Sequence, residues 1–316
     1  MKLNLDPQLL WLFGGVLGLL VLASAIGAVL RRSAKTDSAR AVINNLNART
    51  RAWWGMSAVF ALSLLFRGTG TVLLFGALSF LALREYITLV PTRRADHRTL
   101  FWTFFIITPL NYYLVYIHWY GFFSILIPVF AFVFVPTRMA LAGDTERFLE
   151  RAAKIQFGLM ICAYCVSYAP ALFLLQIPSY EGRGANLLLY LVVVDQMSDV
   201  LQYVWGKLAG RHKIAPQVSP NKTWEGFLGG VASATLLGTA LWWVTPFTPW
   251  QSAGMSLAIC LMGFAGGLVM SAIKRDAGVK DFGALIEGHG GILDRIDSIC
   301  FAAPVFFHLT RYFFVP

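Results

Sequence analysis

The chain has 316 residues, 57% of them hydrophobic and 13% charged, with a formal net charge of +10 and a mean hydropathy of +0.64. A soluble domain carries about 45–50% apolar and about 25% charged residues, so an ordinary globular protein is excluded. Nucleic acid is excluded as the partner of the positive charge, because no basic soluble domain exists to present it.

Helices cross a ~30 Å hydrocarbon core with about 20 apolar residues. Lipid tolerates only helices or closed barrels, and long unbroken apolar runs leave helices. The expected fold is an all-α polytopic integral membrane protein with nine or ten transmembrane helices. Their positions are near 9–30, 52–66, 70–90, 99–117, 119–136, 155–177, 185–205, 226–245, 252–273 and 299–314. The count turns on whether 52–90 holds one span or two. The first run is read as a span, since it is too long for a signal peptide and no small-residue cleavage site precedes the basic stretch that follows.

Basic residues gather in alternate connections, and only Lys2, Arg67, Arg183 and Arg311 of the 26 fall elsewhere. The positive-inside rule makes those connections cytoplasmic and puts both termini outside. The same charges attract anionic headgroups, at about 1 kcal/mol for each basic residue near the surface. The connections 31–51 and 138–154 have helix-forming composition and are expected to be solvated or interfacial helices. Cys162, Cys165, Cys260 and Cys300 lie in or beside apolar runs and are read as packing. The CAYC spacing has no second pair or histidine cluster to make a metal or redox site. Residues 1–184 therefore read as a transmembrane scaffold, and 185–316 as a catalytic region with cytoplasmic loops 206–225 and 274–298.

Three constellations carry chemistry. In the seventh run, Asp195, Asp199, Gln202 and Tyr203 recur at helical spacing and share a face. Two carboxylates one turn apart repel unless a cation lies between them or one is protonated, and intramembrane carboxylates commonly mark a site. The bland alternative is a pair of ends satisfied by neighbouring helices. Next, SPNKTWEG runs from Ser219 to Gly226. It is expected to form a Ser-Pro turn, with Asn221, Lys222 and Thr223 opening the eighth helix, where exposed N–H groups favour an anion. An ordinary cap from Thr223 or Ser219 is the alternative.

Most informative is the stretch 271–297, SAIKRDAGVKDFGALIEGHGGILDRID. Lys274, Arg275 and Lys280 could neutralise polyphosphate, and Asp294 and Asp297 are hard oxygen ligands of the kind Mg²⁺ takes together with substrate phosphates. Glycines in GHGG let backbone approach a ligand closely. Snorkelling cations beside a membrane explain the lysines but not the interleaved aspartates.

These residues resemble the phosphatidate cytidylyltransferase (CDP-diacylglycerol synthase) family. Its signature is matched by Ser271, Lys274, Arg275, Lys280, Asp281, Gly283, His289, Gly290, Gly291, Asp294, Arg295 and Asp297. SPNKTWEG is similar to a second family block, and Asp199 with Tyr203 fits its Asp-x-x-x-Tyr helix. The resemblance covers about 195–300. It implies cytidylyl transfer from CTP to phosphatidate at the cytoplasmic face of a bacterial inner (plasma) membrane, releasing pyrophosphate.

The resemblance further implies Asp199, Asp281, Asp294, Asp297, Lys274 and Arg275 as catalytic residues. Substrate would be held by Ser219, Asn221, Lys222, Thr223, Lys280, His289, Gly290, Gly291, Arg295 and Tyr203. Asp294, with Asp199 or the added Asp195, would hold Mg²⁺, as one or two divalent ions with room for a monovalent cation. The partners implied are CTP, phosphatidate, membrane lipids and a second copy in a homodimer.

The chain departs from the family where Gly266, Gly267, Leu268, Val269 and Met270 stand in place of Gly-Asp-Leu-x-x-Glu/Ser. Glu287 stands where the turn has Pro, and Asp195 is an added carboxylate. One reading is a divergent paralogue in which Asp195 takes over lost metal coordination. Others are a CTP-dependent transferase acting on another lipid phosphate or a polyprenol, as dolichol kinase relatives imply, and a catalytically impaired lipid-binding or transport paralogue.

Overall fold

The computed structural model describes residues 6–33, 36–285 and 290–315. Helices α1 (Pro7–Ser33), α2 (Asp37–Leu65) and α3 (Arg67–Ile87) come first. Residues 52–90 thus form two helices, parting where Arg67 takes a φ of 55°. The 31–51 connection is helical where it is described, since α2 runs unbroken from Asp37 into the apolar stretch.

Three bent rods follow. Helices α4 (His97–Trp102) and α5 (Thr108–Tyr116) join through a π-helical turn at Thr103–Ile107, and α6 (Tyr120–Ile125) and α7 (Phe132–Ala140) join through Leu126–Ala131. The third rod pairs α8 (Phe148–Leu159) with α9 (Val166–Phe173) through Met160–Cys165. Pro109 and Pro128 account for the first two turns. A proline lacks an N–H and its ring meets the carbonyl four residues back, so the ladder widens locally. The carbonyl of Thr103 accepts both the Thr108 N–H and, at 2.8 Å, the Thr108 Oγ1 hydroxyl.

The C-terminal part holds α10 (Gly184–Leu208), strands β1 (Lys213–Ala215) and β2 (Ser219–Thr223), α11 (Trp224–Ala240), α12 (Pro249–Asp276), α13 (Leu293–Ile296) and α14 (Ile299–Phe314). Thr248 starts α12 with a capping box: its N–H donates to Gln251 Oε1 at 2.8 Å, and its hydroxyl accepts from Gln251 N–H at 3.4 Å. Pro at the first helical position fits the same start. Gly278, at φ +69°, follows the end of α12.

Six helical segments are long and apolar enough to cross a membrane among the described residues: Pro7–Arg32, Arg67–Ile87, Tyr120–Ala140, Phe148–Phe173, Gly184–Leu208 and Pro249–Asp276. The other four expected spans also fall on helix. They lie in the second half of α2, on α4–α5, and on α11 and α14, which are only 17 and 16 residues long. The chain is an all-α polytopic membrane protein with one small two-stranded hairpin.

Two local expectations differ from the structure. Residues 141–147 turn between α7 and α8 instead of continuing a helix through 138–154. Gly143 (φ +76°) and Arg147 (φ +48°) adopt left-handed backbone there. Ser219 and Pro220 lie in β2 and not in a turn; Lys213 pairs with Thr223 and Ala215 with Ser219. Proline tolerates an edge position because it has no N–H to give a ladder.

One apolar core draws residues from every part of the chain, from Leu9 through Leu83 and Tyr168 to Phe306. Helices α10 and α11 approach most closely at the glycines of α11. A Cβ on Gly230 would lie 2.5 Å from the Gln202 backbone N, and one on Gly226 would lie 2.8 Å from Gln202 O. Small residues four apart permit that crossing, as they do between other membrane helices.

Side-chain contacts sort the connections into two ends. At one end Arg151 pairs with Asp96, Lys154 reaches Asp276 at 3.3 Å, and Arg275 donates to Val218 O. At the other, Asp6 accepts from Asn186 at 2.9 Å and faces Arg183 at 3.5 Å. Four of the five basic connections, those that hold Asp96, Arg151, Val218 and Arg275, therefore share one end of the bundle.

Candidate active site

The basic end of α10, the β1–β2 hairpin, the end of α12 and the segment 290–298 enclose one cluster of ionised side chains. Helix α10 presents Asp195 and Asp199 one turn apart. Asp195 is 1% exposed. Its Oδ2 accepts from Ser298 Oγ at 2.6 Å and from Gln196 Nε2 at 3.0 Å. Its Oδ1 is buried without a hydrogen-bond partner among the described residues and faces Gly263, where an added Cβ would stand 2.4 Å away. Asp199, by contrast, is exposed.

Strand β2 delivers Lys222, whose Nζ lies 4.5 Å from the centre of the Phe264 ring. It is within electrostatic reach of Asp199 and Asp297 and also of Lys274. Burial pushes its ammonium pKa down, against the pull of those two carboxylates. Burial likewise pushes the Asp297 carboxyl up, opposed by Lys274, Arg295 and Lys222. Asp195, Asp199, Asp294 and Asp297 outnumber Lys222, Lys274 and Arg295, so a further cation would be favoured in the cluster.

Asp294 is 6% exposed. Its Oδ1 takes Lys274 Nζ at 2.8 Å, and its Oδ2 accepts from the N–H groups of Phe282 and Gly291 at 2.8 and 3.0 Å. Lys274 also lies 5.2 Å from the centre of the Phe282 ring. Asp297 Oδ1 accepts from its neighbour Ser298 N–H. Arg295 Nε is buried and unpartnered among the described residues. Arg275 straps the loops together, donating to Val218 O at 3.3 Å and Val279 O at 3.2 Å.

The structure thus gathers Asp195, Asp199, Lys222, Lys274, Asp294, Arg295 and Asp297. Other expected residues stand at the margin. Lys280, Asp281 and Asn221 are exposed, and Ser219 is half-buried in β2. Tyr203 is 65% exposed, with Lys207 Nζ 5.7 Å from its ring centre. Thr223 caps α11, its hydroxyl accepting from Gly226 N–H at 3.1 Å. Gln202 turns to Ser198 at 2.9 Å and to the α11 contact. Glu287, Gly288 and His289 lie outside the described residues.

Two glycines of the turn have a use within the chain itself. Gly290 needs its positive φ of 81°. Gly291 makes room for Glu85 of α3: a Cβ there would lie 2.3 Å from Glu85 Oε2. Glu85 is the residue that sequence reading missed. In sequence it is a charged residue at the end of an apolar helix, beside Arg84, and carries no local signal. At Gly267 the missing acidic side chain leaves a gap that the Lys222 ammonium fills, since a Cβ there would meet Nζ at 3.1 Å.

Among the described residues no three His, Cys, Asp or Glu side chains converge as a ready-made metal cage. The donors suit a cation that brings substrate oxygens with it, which is how Mg²⁺ is usually held. Asp199 offers an accessible carboxylate, and Asp195 an oxygen with no partner of its own.

Residues 47–313 match the model of the cytidylyltransferase family. The chain belongs to that family. It is a membrane-embedded nucleotidyltransferase by that membership. It is 41% identical to the uncharacterized protein YnbB of Escherichia coli (strain K12) over 268 residues, 84% of this chain and 87% of that one. It is 39% identical to the phosphatidate cytidylyltransferase of Staphylococcus aureus (strain COL) over 160 residues, 48% of this chain and 60% of that one. With the phosphatidate cytidylyltransferase of Mycobacterium leprae (strain TN) the identity is 38% over 173 residues, 54% of this chain and 53% of that one.

Proposed function

We propose that this cytidylyltransferase-family protein transfers the cytidylyl group of CTP to phosphatidate, giving CDP-diacylglycerol and pyrophosphate, in a Mg²⁺-dependent reaction at the cytoplasmic face of the membrane. One observation carries the reading: the side chains of Lys222, Lys274, Asp199 and Asp297, from separate elements, meet at the basic end of the bundle.

In the reaction, an anionic phosphate oxygen of the lipid attacks the α-phosphorus of CTP in line. A new P–O bond forms, the bond from the α-phosphorus to the bridging oxygen breaks, and pyrophosphate leaves with its electron pair. The attacking oxygen is already anionic, so no general base is required. Such a transfer needs mainly positioning and charge neutralisation. Lys222 and Lys274 neutralise the triphosphate, while Asp294 holds Lys274 and the loop backbone in place. Arg295 adds positive charge, and Arg275 ties the hairpin to the 274–298 loop. Asp199, Asp195 and Asp294 would hold a divalent ion, which when bound would supply further neutralisation of phosphate oxygens. The lipid enters sideways from the bilayer with its headgroup toward the cluster.

A second reading keeps CTP but changes the acceptor to another lipid phosphate or a polyprenol. Gly267 favours it, because the position that carries an acidic side chain in the family here meets only the Lys222 ammonium. The deciding experiment measures pyrophosphate released from CTP by the purified protein with and without Mg²⁺ and phosphatidate, against dCTP and ATP. Release with phosphatidate alone supports the first reading, and release only with another lipid phosphate supports the second. Release of neither pyrophosphate nor CDP with any lipid phosphate or polyprenol favours a lipid-binding paralogue.

A further inference from the structure

Helix α3 belongs to the N-terminal half of the chain, yet its last turn reaches the segment that bears Asp294 and Asp297. Glu85 Oε1 accepts from Ile292 N–H at 2.9 Å and Oε2 accepts from Leu293 N–H at 2.9 Å. The backbone closes on this carboxylate from both sides. An added Cβ at Gly291 would lie 2.3 Å from Oε2, and one at Gly283 would lie 2.8 Å from Oε1. On the far side of the same turn, Asp294 Oδ2 takes the N–H groups of Gly291 and Phe282.

Two carboxylates therefore consume the N–H groups of residues 282, 291, 292 and 293. A glycine turn whose N–H groups pointed outward would form a nest for phosphate. Here those donors face inward onto Glu85 and Asp294. The glycines at 283 and 291 thus admit a protein carboxylate and not a ligand. Lys222, Lys274 and Arg295, and not the N–H groups of 282 and 291–293, are then the positive groups that phosphate would meet.

We infer that Glu85 is a positioning residue: its carboxylate, delivered by α3, clamps the backbone of 283 and 291–293 and so sets where Asp294, Arg295 and Asp297 stand. That these three serve cytidylyl transfer rests on the function proposed above. That Glu85 holds the turn does not. Carboxylates accepting backbone N–H groups form charge-assisted bonds. A glutamine in its place keeps one acceptor and turns an N–H₂ toward a donor, so one of the two bonds is lost.

The test uses the full chain in lipid nanodiscs and three variants, Glu85→Gln, Glu85→Asp and Gly291→Ala. Hydrogen exchange is followed over residues 279–297, thermal unfolding is recorded, and kcat and KM for CTP are measured separately. The expected result is exchange at Ile292 and Leu293 accelerated about tenfold or more in all three, with the remaining helices and the melting temperature unchanged. Displacing reacting groups by about an ångström costs about a hundredfold, so kcat should fall between tenfold and that limit while KM for CTP shifts less. Gly291→Ala keeps Glu85 and displaces it from the other side, so it carries the prediction even where Glu85→Gln fails to fold. Wild-type exchange at 292–293 in Gly291→Ala or Glu85→Gln overturns the inference. So does loosening that appears only together with global unfolding. An inactive wild type would defeat the proposed function and leave the exchange result standing.

Discussion

Two clusters of buried charge lie at the same end of the bundle and are built on opposite terms. In the N-terminal half, Arg151 and Asp96 are each 1% exposed. Asp96 takes Arg151 Nη1 on both oxygens at 3.1 Å and Arg93 N–H at 2.9 Å. Arg151 Nη2 donates to Asp144 O at 2.6 Å. This cluster is nearly closed, with Arg151 Nε its one unpartnered atom among the described residues. In the C-terminal half, carboxylates crowd together, Asp195 Oδ1 and Arg295 Nε have no hydrogen-bond partners among the described residues, and Asp199 is accessible. A closed ion pair fixes the fold. An open one has unmet demand that a ligand can fill.

The contrast can be broken by substitution, starting with the largest effect. Asp96→Ala leaves the buried Arg151 only the partly exposed Asp144, whose Oδ2 lies 3.6 Å away, and should cost about 3 kcal/mol of stability, read as a lowered unfolding midpoint in detergent. Specific activity per folded molecule should be unchanged. In the open cluster the effects should reverse. Asp199→Asn should lower kcat by about a hundredfold to a thousandfold with the unfolding midpoint unchanged, as measured by pyrophosphate release. An Asp199→Asn protein that melts early and turns over normally would erase the distinction between the clusters.

Asp195 sharpens it. If its unpartnered oxygen has taken over coordination lost at Gly267, Asp195→Asn should remove activity as thoroughly as Asp294→Asn. Near-normal turnover would refute that relocation and make Asp195 a structural partner of Ser298.

The pH dependence follows from the same crowding. Lys222 must stay protonated to neutralise phosphate and its pKa is lowered, so activity should decline on the alkaline side earlier than a free lysine predicts. Asp297 acts ionised and its pKa is raised, so the acid limb should begin above the ordinary carboxylate range. Lys222→Arg should move the alkaline limb upward, because guanidinium stays charged. An unmoved limb would assign that titration to another group. The smallest effect is expected of Gly267→Ala. Its Cβ meets only the flexible end of Lys222, so kcat should change by no more than about twofold.

Much of this molecule was legible in its residues. Apolar runs and their basic flanks gave the helices, because burial in lipid follows local composition. The alternation of charge put the right connections at a common end. The dense polar stretches marked Asp199, Lys222, Lys274, Asp294, Arg295 and Asp297, since ionised groups beside hydrocarbon need a reason. The hairpin was less legible, as its pairing of Lys213 with Thr223 depends on register and not on composition.

The sequence by itself determined a helical membrane protein with ionised loops, since hydropathy, helical periodicity and glycine placement are properties of neighbours along the chain. Only the tertiary structure decided that Glu85 clamps a turn 207 positions away, that Asp96 answers Arg151 across 55, and that Gly291 faces a protein carboxylate. Those choices depend on which helix ends meet in space. A lone charge at the end of an apolar helix looks the same in sequence whether it ends in water, at a headgroup or against a catalytic loop.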